Sequence, residues 1–163
     1  MILNFPILLL AALAPMVIGF IWYNPKVFGK AWMEASGMTD EKVKGGNMVL
    51  IFGLSFVLAV LLAFALNGMV IHQNHLYSIF FGQKDALNQT IEYLNANQSG
   101  WDLNWRDFRH GSIHGFFGGL FFAIPVLITN ALFERKGMKY ALVNGGYWIV
   151  TLTLMGGVIC QFS

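Results

Sequence analysis

The chain is poor in the residues that mark most soluble, secreted or catalytic proteins. Of 163 residues only one, Cys160, is cysteine, so no intramolecular disulfide is possible and the redox compartment cannot be read from it. Charged residues make up 11% of the chain, against about 25% in soluble domains. There is no GxSxG nucleophile turn, no phosphate-cradling glycine loop, no CxxC pair and no basic cluster of the kind that reads nucleic acid. These absences argue against an enzyme, a bound organic cofactor and a nucleic-acid partner. Only one connection between apolar runs exceeds about 25 residues, which leaves little room for an independent soluble domain.

What the chain has is apolar length. It is 56% hydrophobic, with a mean hydropathy of +0.60. Four runs, 2–23, 47–71, 111–133 and 140–162, reach the ~20 apolar residues that a helix needs to cross a hydrocarbon core. Backbone polar groups in lipid must be satisfied within their own segment, so runs of this length predict helices. A β-barrel would show short alternating strands instead. The expected fold is an all-α integral membrane four-helix bundle forming one domain over 1–163, with short interfacial helices in the connections. The first run has no basic stretch before it and continues past the small-residue site at Ala12 and Ala14, so it is expected to be a retained span and not a cleaved signal.

Lys and Arg set the expected orientation. Lys26, Lys30, Lys42 and Lys44 lie in the first connection and Arg135, Lys136 and Lys139 in the third, while the long loop 72–110 holds Lys84, Arg106 and Arg109. The excess places the first and third connections in the cytoplasm, with both termini and the long loop outside. The formal charge of +2 reflects this juxtamembrane set. In the first connection, Pro25 is expected to start a short helix with Phe28 and Trp32 on one face and Lys26 and Lys30 on another. Together with Trp22 and Tyr23 they form an expected interfacial anchor, with aromatics inward and ammonium groups reaching phosphates.

The third run carries the candidate chemistry. At about 100° per residue, Asp107, His110, Gly111, His114, Gly118 and Pro125 share one side. Gly111, Gly115 and Gly119 stand at four-residue spacing, the usual helix-packing seam in membranes. His110 and His114, one turn apart, can converge on a metal, with Asp107 a turn earlier and His72 or His75 available from the end of the second run. The glutamate beside the first histidine of a zinc-protease motif is missing, and structural hydrogen bonding is the competing explanation for these histidines. Pro125 should kink the helix and free a carbonyl near Phe121. In the long loop, Leu87, Ile91 and Leu94 predict a short amphipathic helix, and Asn95–Gly100 reads as a turn.

Several segments together resemble a known family. Gly19-Phe-Ile-Trp-Tyr-Asn-Pro-Lys-Val-Phe-Gly-Lys-Ala-Trp-Met33 is similar to the signature of the bacterial membrane family called domain of unknown function 1761. His110-Gly-x-x-His114-Gly, Asn130-Ala-Leu-Phe-Glu-Arg-Lys136 and Gly146-Tyr-Trp148 resemble its Bacteroidota-type members. The resemblance implies a four-span inner-membrane protein and carries no activity, ligand or catalytic residue. The leading functional expectation is a non-enzymatic bundle acting in the lipid bilayer as a homo-oligomer or as a subunit of a larger membrane complex. A small transporter or channel, with a polar path past Asn144 and Thr151, is the alternative, and metal or proton handling at His110 and His114 comes third.

Overall fold

The computed structural model describes residues 3–163; Ile2, the expected start of the first span, lies outside them. Every regular element among the described residues is helical. The first span is α1 (Phe5–Ala11) and α2 (Ala14–Trp22), joined by a tight break just ahead of Pro15, which sits harmlessly in the first turn of α2. Two short helices follow, α3 (Gly29–Ser36) and α4 (Asp40–Lys44). The second span is α5 (Met48–Val70), and the long connection carries α6 (Gln73–Ile79) and α7 (Lys84–Asn97). The third span comprises α8 (Phe108–Gly118), a π-helical turn (Gly119–Ala123) and α9 (Ile124–Phe133); the fourth is α10 (Met138–Phe162).

Four helical units are thus long and apolar enough to cross a membrane: Phe5–Trp22, Met48–Val70, Phe108–Phe133 and Met138–Phe162. The fourth is the core: 56% of its apolar window is buried, against 28% for the first and 17% for the second and third. Its Leu152, Met155 and Ile159 pack in one cluster with Leu8, Ala11, Ala63, Leu66 and Val70. Large apolar side chains such as Phe20, Val49, Phe121 and Phe133 face outward instead, as lipid requires of the opposite faces.

Local differences from the sequence expectation have physical causes. The third span begins at Phe108, three residues early, because the Asp107 side chain accepts the His110 N–H at 2.8 Å and caps the helix. The helix in the first connection begins at Gly29 and not at Pro25. Residues 24–28 form a turn in which Asn24 accepts the Lys26 N–H through its side chain and the Val27 and Gly29 N–H groups through its carbonyl. The expected turn at Asn95–Gly100 starts later, since α7 runs to Asn97. Ahead of Pro125 the chain adopts the π-helical turn, with the Ile124 N–H bonded to the Gly119 carbonyl. Widening the helix by one residue is how it accommodates a proline that cannot donate.

Candidate metal centre

Glycines position the site. At Gly111 an added Cβ would run into the Gly156 carbonyl, at Gly115 into the Leu152 carbonyl, and at Gly119 it would lie 2.8 Å from the Ile149 Cα. The structure therefore places all three against α10, with α8 and α10 in backbone contact. Phe108 N–H donates to Gln161 Oε1 at 3.1 Å and fixes the register at the end of that seam. His110 and His114, one turn apart on α8, are held rigidly as a consequence.

His72 arrives from the α5–α6 corner. Ile71 has no exposed surface, and Gln73 and Asn74 are also buried, so His72 is flanked by residues locked into the core. Gln73 Nε2 donates to the carbonyls of Trp101 and Asn104 at 3.1 and 2.9 Å, tying this corner to the far end of the long connection. Trp105, beside the His110 ring at 5.7 Å, has a left-handed backbone with φ of 62°, a conformation that costs a non-glycine residue about 1–3 kcal/mol. Its carbonyl accepts from the buried Cys160 thiol at 3.3 Å, which helps hold it there.

The three imidazoles converge. His72 Nε2 and His114 Nε2 are 3.0 Å apart, and His114 Nε2 and His110 Nε2 are also 3.0 Å apart. The ligand atoms of all three lie within 4.8 Å of one another. Their rings meet edge-on, with centroids 4.6–4.8 Å apart. A ring nitrogen carries either a hydrogen or an in-plane lone pair, never both. His114 Nε2 can therefore be donor to both neighbours or acceptor from both, but it cannot relay a proton from one to the other. Three lone pairs pointed at a shared ion suit this arrangement directly. Burial, with the adjoining His110 and His75 charges, also holds the His72 pKa below its ordinary 6.5, favouring the neutral form that binds metal.

The structure sorts the candidates named from the sequence. His110 and His114 are brought together, and His72 is the partner they meet. His75 is exposed and stacks beside His72 at 6.1 Å without joining the group. Asp107 stands outside the converging set, with its carboxylate oxygen engaged in the helix cap. Trp22 and Tyr23, expected as an interfacial anchor, turn their polar atoms inward: Trp22 Nε1 donates to the Val143 carbonyl at 3.0 Å and Tyr23 Oη to Asn144 Oδ1 at 2.9 Å. Phe28 packs on Trp22 at 4.4 Å and Trp32 on Tyr23 at 5.4 Å, while Lys26 and Lys30 stay exposed.

A four-span helical membrane bundle with one convergent histidine cluster is the class that fold and site define. A family model described as a protein of unknown function (DUF1761) matches residues 7–160, and the chain belongs to that family. No curated protein and no solved structure matches it.

Proposed function

We propose that this protein binds a first-row transition metal ion through His72, His110 and His114, at the membrane face that carries the 71–107 connection. The observation that supports this reading is the convergence of three imidazoles, with His114 Nε2 3.0 Å from both His72 Nε2 and His110 Nε2, so that their lone pairs can meet on one ion. Imidazole suits zinc, copper, nickel and iron, and three protein ligands are the usual complement of a site that keeps one position open. Lys and Arg are concentrated at the opposite end, so the positive-inside rule puts the metal outside the cytoplasm. The bundle acts as a rigid metal-binding membrane protein.

The test is metal analysis of protein purified without chelators, beside a His110→Ala, His114→Ala double variant. Near-stoichiometric metal in the native protein and its loss from the variant is the expected result. Equal metal in both would dispose of the site.

Assembly with another protein is a second reading, now carried by a different surface. The glycine seam faces α10 within the chain and is not available to a neighbour. Ile79, Phe81 and Leu103 on the long connection are between 64% and 88% exposed and lie outside the spans, as a docking surface would. Copurification in mild detergent tests it: a stoichiometric partner lost on Phe81→Ser supports the reading, and recovery of the chain alone removes it. For the transporter reading, Asn144 and Tyr147 are engaged by the first span and its outflow, with Tyr147 Oη donating to the Pro15 carbonyl at 2.9 Å, while Thr151 is buried on the same helix; flux of the full chain in proteoliposomes, and its change on Thr151→Val, tests it.

A further inference from the structure

The line where α8 meets α10 carries a feature that is independent of the histidine cluster. Phe108, Arg109, Ile113, Phe116, Phe117 and Thr153 line an open groove of about 540 Å³. With the two helices in backbone contact at Gly111 and Gly115, these side chains enclose a furrow on the outside of the bundle and not a gap into it. Its rim is aromatic, since Phe108, Phe116 and Phe117 keep 41–46% of their surface exposed. Below Arg109 the wall is apolar, because the Thr153 hydroxyl donates to the Ile149 carbonyl of its own helix at 2.7 Å. From Arg109 to Phe117 the helix rises about 12 Å, most of the ~15 Å that one leaflet contributes to a ~30 Å hydrocarbon core.

Arg109 stands at the mouth of this furrow, at the second residue of a membrane-length helix, which is the depth of the headgroup layer. It is exposed and forms no ion pair among the described residues. Asp107 keeps its charge but lies outside the groove wall, and no other carboxylate lines it. A guanidinium pairs with phosphate bidentately, and an apolar furrow running inward from it takes an alkyl chain. The wall offers nothing to pair the cationic group of a zwitterionic headgroup. We infer that the groove holds one anionic phospholipid of the surrounding bilayer, with its phosphate on Arg109 and one acyl chain along Phe116 and Phe117.

Native mass spectrometry of the full chain released from mild detergent is the test, with phosphatidylglycerol, phosphatidylcholine or diacylglycerol added in turn. The native chain is expected to retain one phosphatidylglycerol saturably, and phosphatidylcholine more weakly. Arg109→Gln should weaken phosphatidylglycerol about five-fold and leave diacylglycerol unchanged, whereas Ile113→Trp, which fills the furrow from its exposed edge, should weaken both. Matched helical content by circular dichroism shows that both variants fold. Equal retention of the two phospholipids by the native chain overturns the inference, as does an Arg109→Gln variant that holds phosphatidylglycerol undiminished. Retention untouched by Ile113→Trp overturns it too, by placing the lipid elsewhere. A chain dimer in place of the lipid adduct, dispersed by Ile113→Trp, overturns it and assigns the groove to a second copy. None of these readouts involves the metal, so the histidine reading stands or falls separately.

Discussion

The two ends of the bundle use polar side chains in opposite ways. At the end holding the first and third connections, groups are matched in pairs. Tyr23 donates to Asn144, Asn144 donates to the Tyr140 carbonyl at 2.9 Å, and Lys136 reaches the Ser36 carbonyl at 2.9 Å. Each donor there has one acceptor, which locks α3 and the end of α2 to α10. At the other end, three imidazoles crowd together, with His114 Nε2 3.0 Å from both His72 Nε2 and His110 Nε2. The first arrangement pairs groups one to one; the second gathers three potential lone pairs at one point, as a cation-binding site does.

The largest effect that would break this contrast comes from the seam that serves both ends. Gly115→Leu drives a side chain into the Leu152 backbone, and neither helix can yield without separating. The loss should exceed the ~1–3 kcal/mol of ordinary overpacking, read as aggregation or a collapsed melting temperature in detergent. A native-like melt would mean that α8 and α10 do not depend on their close approach.

Single substitutions at the two ends should then behave differently. His114→Ala should reduce zinc affinity by more than the ~10–100-fold typical of losing a mere outer partner, yet leave the metal-free protein about as stable as before. Tyr23→Phe should do the reverse, costing about 1–3 kcal/mol because Asn144 Oδ1 loses its partner, with metal affinity unchanged. Isothermal titration and thermal melts on both variants decide between these outcomes, and a joint loss of both properties in either variant would erase the distinction.

The ends should also respond to opposite extremes of pH. The His72 pKa is lowered in the fold, chiefly by burial, so the unfolded chain takes up the proton more readily. Its stabilising contribution is present above the ordinary 6.5 and is lost as pH falls below it. Tyr23 is shifted the other way, raised first by burial and then by Tyr147 and Tyr140. Its contribution is present below the ordinary phenol value of 10.0 and is lost as pH rises beyond it. Melts of metal-free protein across the pH range should show a smaller acid-side fall in His72→Asn and a smaller alkaline-side fall in Tyr23→Phe.

The smallest change concerns the exposed Lys139–Glu34 pair, which joins the start of α10 to α3. Glu34→Gln should cost less than about 1 kcal/mol, since exposed ion pairs are screened. A larger loss in a salt-dependent melt would show that charge, and not hydrogen bonding, holds this end together.

The spans were legible because apolar length is a local property, and hydrogen-bond satisfaction in lipid leaves one answer for it. The alignment of His110 with His114 was equally local, fixed by the helical repeat. The third ligand was not. His72 stands 42 positions from His114, and sequence offered it only as one of two options with His75. Asp107 looked like a ligand by the same periodicity, but a residue at a helix start answers first to the unpaired N–H groups beside it. Trp22 and Tyr23 carry the composition of a membrane belt. Their inward hydrogen bonds depend on which α10 carbonyls and amides face them, and no local pattern encodes that.

Sequence alone therefore determined that this chain forms four apolar helices, with a small-residue seam and two histidines aligned on the third. The tertiary structure decided that the seam closes on the fourth helix of the same chain, which of the remaining histidines joins the pair, and that the acid beside them caps a helix. The physical reason is range: helix formation and face assignment follow from residues a few positions apart, whereas a convergent site requires side chains from separate helices whose relative placement is set by packing.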